Sequence, residues 1–154
     1  MILETPRCLI RRFTADDAPD LYEILSDSDV MKYIEPPFTR DQTSEFIENI
    51  GLCDPPLVYA LIWKETEHLI GHVIFHQYKE DSYEIGWIIS KEYWGQGIAS
   101  EVTVSLIEYA KKLKISSCII ECDQKQTTSI RIAHKHGFLY VGKDDNCEVY
   151  RLRL

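Results

Sequence analysis

The decisive stretch runs Tyr83-Glu84-Ile85-Gly86-Trp87-Ile88-Ile89 and, three residues later, Tyr93-Trp94-Gly95-Gln96-Gly97-Ile98-Ala99-Ser100-Glu101. The first part is β-rich, and its alternation puts Glu84, Gly86 and Ile88 on one face. The second opens a helix of about four turns, whose apolar positions Ala99, Val102, Leu106, Tyr109 or Ala110, and Leu113 recur at spacings of three and four. Strand, glycine pair, helix is an arrangement suited to an anionic ligand. Gly95 and Gly97 let a ligand approach the backbone, while the first-turn N–H groups are unpaired and sit at the positive end of the helix dipole. The spacing excludes a Walker loop, which needs G-x-x-x-x-G-K-[ST]. It also excludes a dinucleotide fingerprint, since Ser100 stands where a third glycine or alanine belongs.

Working outward, Arg7 to Phe13 reads as a short strand. Thr14 with Asp16 and Asp17 signals a helix through about Leu25, a helical turn covers Asp29 to Ile34, and Pro36-Pro37 stops it. Thr39 caps a helix from Arg40 to about Ile50, ended by Gly51. Leu57 to Trp63, His68 to Tyr78 and Tyr83 to Ser90 form an antiparallel meander with short polar turns. Past the long helix, Ser116 to Cys122 is a strand and Thr127 to His136 a helix stopped by Gly137. Phe138 to Val141 and Cys147 to Leu152 close the chain. This order predicts an α/β fold with a mixed, mostly antiparallel sheet, one parallel crossover between Tyr83–Ser90 and Ser116–Cys122, and flanking helices. A ligand at that crossover sits at the C-terminal end of the first strand.

The 154 residues fit one domain spanning 1–154, with no repeat or linker. The composition, 45% hydrophobic and 27% charged, is that of an ordinary soluble protein. No apolar run is long enough to span a bilayer and the N-terminus is not signal-like, so the expected location is the cytoplasm. The five cysteines include no C-x-x-C pair and read as reduced and structural, with Cys118 and Cys122 facing the same side of a strand. A net charge of −8 speaks against nucleic acid and suits a cationic partner, so an anionic ligand requires a local site that overrides the global field. His68, His72 and His76 have a spacing that suggests a metal. On a strand, however, four residues span roughly 13 Å, too far for one ion, and no metal is called for.

The two segments quoted first, together with Cys122-Asp123-Gln124-Lys125-Gln126-Thr127-Thr128-Ser129-Ile130-Arg131, His136-Gly137-Phe138 and the opening Glu4-Thr5-Pro6-Arg7-Cys8-Leu9-Ile10-Arg11, resemble the GNAT acetyltransferases. Within them the chain is similar to the branch containing the ribosomal-protein acetyltransferases RimJ and RimL. The resemblance covers nearly the whole chain. It implies an N-acetyltransferase that moves an acetyl group from acetyl-CoA to a primary amine, a small molecule or a protein N-terminus, by direct attack in a ternary complex. The alternative is an acyl-CoA-binding or sensing domain without turnover. The parallel strand pair of the fold would be splayed, with pantetheine in the gap.

The resemblance also assigns residues. The backbone of Trp87, Ile88 and Ile89 would bond the pantetheine arm. The turn from Trp94 through Gly95, Gln96, Gly97, Ile98, Ala99 and Ser100 would hold the pyrophosphate. Trp94 replaces the usual basic or amide residue, and Gln126 the usual pantetheine-binding asparagine. Glu84 is the expected base, directly or through a water. Ala133 stands where many relatives carry an acidic tyrosine, so Ser129 is the candidate partner of the CoA sulfur, with Tyr140 and Tyr150 in reserve. Arg131 and Lys135, four apart, share a helix face that could meet the 3′-phosphate or adenine end, or be a solvated charged surface. Tyr33, Glu35, Phe38 and Trp63 are expected to form an aromatic and acidic entrance for the acceptor. The expected partners are an amine acceptor and, as an assembly, a homodimer; neither nucleic acid nor membrane is expected.

Overall fold

A computed structural model describes residues 3–154. Eight strands form one sheet in the order β1-β2-β3-β4-β5-β6-β8-β7. They are β1 (Leu3–Glu4), β2 (Cys8–Arg11), β3 (Val58–Trp63), β4 (Leu69–Gln77), β5 (Ser82–Ile89), β6 (Ser117–Cys122), β7 (Leu139–Asp144) and β8 (Cys147–Arg153). Every neighbouring pair is antiparallel except β5 with β6. The mixed α/β architecture and its single parallel crossover match the sequence reading. The two-residue strand β1 was not foreseen.

Helices cover both faces. On one side lie α1 (Ala18–Leu25), α2 (Ser28–Met31) and α3 (Arg40–Phe46), on the other α4 (Ile98–Lys112) and α5 (Thr127–Lys135). A 3₁₀ turn at Ala15–Asp17 precedes α1, with Thr14 and Asp17 forming a capping box. The expected turn after Asp29 ends at Met31, and the helix after Arg40 widens at Ile47–Gly51 into a π turn. Thr39 and Gln42 cap α3 reciprocally.

Two apolar clusters flank the sheet. Leu21, Leu25, Met31 and Ile47 pack on Val58, Ala60 and Ile62. Val102, Leu106, Ala110 and Ala133 pack on Leu61, Ile85, Cys118 and Ile120 from the other side. Cys118 and Cys122 both face this second cluster, as alternation demands.

Parallel pairing of β5 with β6 runs only from Ser82–Ser117 to Glu84–Ile119, although β5 continues to Ile89 and β6 to Cys122. Beyond Glu84 the strands part. This is the splay on which the site depends. On its other edge β5 stays in register with β4 up to Gly71–Ile89. Contact there is so close that a Cβ on Gly71 would stand 2.0 Å from the Ile88 carbonyl oxygen.

Candidate active site

Gly97 caps α4 at φ +78°, and Gly95 has φ +73°. These left-handed conformations cost a side-chain-bearing residue strain that glycine escapes. No side chain caps α4, so the first-turn N–H groups of Ile98, Ala99 and Ser100 have no partner within the helix. A Cβ on Gly95 would meet nothing within 4 Å. The turn is open, amide-lined and at the positive helix end.

The nearby carboxylate, Glu101, is ion-paired. It accepts from Thr5 Oγ1 (2.6 Å), the Arg7 backbone N–H (3.0 Å) and Arg7 Nε (2.8 Å). Burial alone would raise its pKa, but these hydrogen bonds outweigh it and hold the carboxyl below the usual range. Arg7 also lies over the Trp63 ring at 5.7 Å, and its Nη2 is 3.8 Å from where a Gly97 Cβ would stand. On the other flank, Ser100 Oγ and His136 Nε2 are 2.7 Å apart, tying the end of α5 to the first turn of α4. Arg7 and His136 stand in the motifs quoted from the sequence but were given no place at the turn, because their contacts there depend on long-range packing.

The splay opens into a cleft of about 380 Å³. Glu84, Gly86, Trp87 and Ile88 line it from β5, and Gln126 and Ser129 from the start of α5. Ser90 N–H donates to Ile70 across the β4 edge, and the Ile88 carbonyl also faces β4. Backbone groups alternate sides along a strand, so Trp87 and Ile89 turn theirs toward the gap. The Ile89 carbonyl already accepts the Trp94 indole N–H at 2.9 Å. Trp87 is therefore the residue with both backbone groups turned to the gap and no such side-chain partner. Gln126 Oε1 accepts from the Asp123 N–H at 2.7 Å, which fixes the side chain at the cleft wall.

A second cavity of about 220 Å³ lies under α1–α3 and shares Ile34, Ile74, Glu84 and Ile88 with the first. Glu35 and Phe38 line this pocket, while Tyr33 lines the cleft instead. The structure separates Trp63 from that group: it points to the opposite face of the sheet, where its ring stacks 5.3 Å from Tyr93. Ala133 is fully buried and Tyr150 sits in the α4–α5 core, away from the cleft. Arg131 and Lys135 are exposed and make no ion pair with any described residue.

Glu84 has an unforeseen neighbour. His76 stands directly opposite it on β4, with Nε2 3.1 Å from Glu84 Oε2. His76 Nδ1 is 2.9 Å from the Gln77 carbonyl oxygen, so both ring nitrogens face acceptors. The hydrogen bond to Glu84 is the main reason that the imidazole pKa is raised, against the pull of burial. Glu121, also lining the cleft, has its carboxyl pushed up by burial and by the nearby charge of Glu84.

Comparison with known proteins settles the family. Residues 7–139 match the acetyltransferase (GNAT) domain family. The chain belongs to the GNAT acetyltransferases. It is 35% identical to the uncharacterized N-acetyltransferase YnaD of Bacillus subtilis (strain 168) over 96% of this chain and 88% of that protein. An acetyltransferase (GNAT family) structure from Bacillus anthracis superposes with a TM-score of 0.89 at 30% identity, covering 99% of this chain and 98% of that one. The RimL ribosomal L7/L12 alpha-N-protein acetyltransferase in complex with coenzyme A shares the fold, with a TM-score of 0.82 at 16% identity over 100% and 98% of the two chains. The family therefore agrees with the sequence reading, and the RimL structure shares its fold.

GNAT acetyltransferases use acetyl-CoA, and the residues present fit it. The amide-lined turn suits a diphosphate, Arg7 compensates the charge of the ionised Glu101, and the splay leaves strand edges open for an amide-bearing arm. Among the described residues no cluster of His, Cys, Asp and Glu has metal-site geometry, and no helix is long and apolar enough to cross a membrane.

Proposed function

We propose that this GNAT N-acetyltransferase transfers an acetyl group from acetyl-CoA to a primary amine in a ternary complex, with residues 1–154 acting as one catalytic domain. The observation that carries the reading is the place of Glu84, whose carboxylate borders both the cleft and the pocket. A donor entering through one and an acceptor through the other would meet there.

Bound acetyl-CoA supplies the activated acetyl group. An acceptor arriving as an ammonium must lose a proton before its nitrogen can attack. Glu84 takes that proton directly or through a water, and His76, held between Gln77 and Glu84, orients the carboxylate. A C–N bond forms, the C–S bond breaks, and the proton that the nitrogen sheds as it becomes an amide passes to the departing thiolate. Ser129 is the hydroxyl offered to the sulfur from the α5 wall. Trp87 and Ile89 offer backbone groups to pantetheine, with Ile88 contributing its side chain to the cleft, and Gln126 is the amide on the facing wall. Trp94 through Ser100 hold the diphosphate. Tyr33, Glu35 and Phe38 flank the acceptor's path.

Thiol release from acetyl-CoA with a panel of amines tests this. Turnover that collapses in Glu84→Gln, while CoA still raises the melting temperature, is expected. The buried Ala133, which leaves the usual tyrosine position without a hydroxyl, favours a second reading as a CoA-binding protein without catalysis. CoA binding with no thiol release on any amine would establish that second reading.

A further inference from the structure

The pocket under α1–α3 contains a group that the acetyl-transfer chemistry does not use. His72 is 2% exposed, and neither ring nitrogen has a hydrogen-bond partner. A buried polar group left unpaired costs stability, and an apolar ring of the same shape would avoid that cost. The His72 ring packs 5.1 Å from Phe46 and borders the cavity with Leu25, Met31, Phe38 and Ile74. At the opposite end stand His76 and Glu84.

The two ends are set apart by the strand itself. His72, Ile74 and His76 occupy successive positions on one face of β4, so the histidine backbones are roughly 13 Å apart with an isoleucine between them. The pocket is a slot with His76 and Glu84 at one end, His72 at the other and mostly apolar walls, in which Glu35 is a second carboxylate. Its volume of about 220 Å³ is below the range of drug-sized sites, so it suits a single ring or a short chain. Burial pushes the His72 pKa down to about 4, so the imidazole is uncharged near neutrality. It can exchange a hydrogen bond with a hydroxyl once the ring turns to bring one of its nitrogens, both buried, to the cavity.

We infer that the acceptor is a primary amine on a compact apolar body, such as one ring, whose far end carries a hydroxyl that hydrogen-bonds His72. This rests on the acetyl-transfer reading for the role of Glu84. A polyamine is the competing occupant, since the Glu35 carboxylate in the lining offers a second cation a partner.

The test uses acetyl-CoA with tyramine, phenethylamine and putrescine, probes that share the amine and differ at the far end. In the unmodified protein, kcat/KM for tyramine should exceed that for phenethylamine by at least about tenfold, because the binding site leaves His72 unpaired with the second amine. In His72→Phe, folded as judged by its CoA thermal shift, that ratio should fall to about one. Ring ¹⁵N NMR of His72 in the CoA-loaded protein should shift with tyramine and not with phenethylamine. Equal use of the two amines, a ratio that survives His72→Phe, or preference for putrescine would overturn the slot while leaving acetyl transfer standing. A His72 shift with tyramine but no thiol release from any amine would remove the acetyl-transfer reading and keep the slot. Neither release nor shift would overturn both.

Discussion

The two halves of the site are built from different materials. The proposed cofactor side consists mainly of backbone: the amides at the start of α4, the strand edge at Trp87, and glycines that keep side chains away. The proposed acceptor side consists of side chains: Glu84 and His76 facing across two strands, His72 at the far end, and a shell from three short helices. A backbone site depends on local conformation and tolerates exchange of exposed side chains. A side-chain site depends on which residues distant parts of the chain bring together.

The largest expected effect tests whether the halves are separable. Glu84→Gln should lower kcat by about 10²- to 10⁴-fold, the usual contribution of a general base. Its CoA affinity, measured by calorimetry, should stay within about twofold of the parent. A comparable loss of CoA affinity would mean that the halves are one unit.

Next comes acid stability, which reports on the side-chain half alone. With its folded pKa near 4 against an ordinary value near 6.5, His72 resists protonation in the folded state. The unfolded chain binds the extra proton, so this contribution is complete above pH 6.5 and is lost as pH falls. The loss amounts to roughly 3 kcal/mol by pH 4. Urea unfolding of the parent and His72→Phe across this range should show the parent losing more stability by about that amount. Parallel curves would mean that His72 is hydrated or partnered in solution.

Gly97→Val probes the backbone half. A β-branched residue at φ +78° is strained by about 1–3 kcal/mol, and the turn can relax only by moving its amides. CoA affinity should fall at least about tenfold, whereas Gln96→Ala in the same turn should change it less than about twofold. If Gln96→Ala proves as damaging as Gly97→Val, the turn binds through its side chains and the contrast fails.

The smallest effect has the opposite sign to that of His72. The hydrogen bond to Glu84 raises the His76 pKa, so its stabilisation is present below pH 6.5 and disappears as pH rises through the raised value. Thermal melts of the parent should drop slightly over that interval, and His76→Gln should flatten the trend. A rise in the parent would place the Glu84–His76 pair apart in solution.

The same division explains what could be read from the sequence. The glycine turn, the long helix and the face carrying Glu84, Gly86 and Ile88 follow from local spacing, and they stand as expected. Trp63 was grouped with Tyr33, Glu35 and Phe38, yet it packs on the other face. Its strand is apolar on both faces, so Val58 to Trp63 shows no alternation from which to choose a side. The histidines of β4 could be placed on one face and too far apart for one metal. Their partners could not, since the Glu84–His76 pairing depends on the exact register across the turn after Gln77. His136 and Arg7 reach the glycine turn from opposite ends of the chain, a proximity that no local pattern encodes.

The three-residue pairing of β5 with β6 has a mechanical consequence. The sheet is two plates joined along a short seam, with a Ser82–Ser117 hydroxyl contact of 2.9 Å beside it. Glu84 rides on one plate, and Ser129, carried by the helix that follows β6, rides on the other. In the proposed reaction, a donor held in the opening would lie between the plates like a shim. Loading it would then also set the distance between Glu84 and Ser129, the two groups proposed to handle protons.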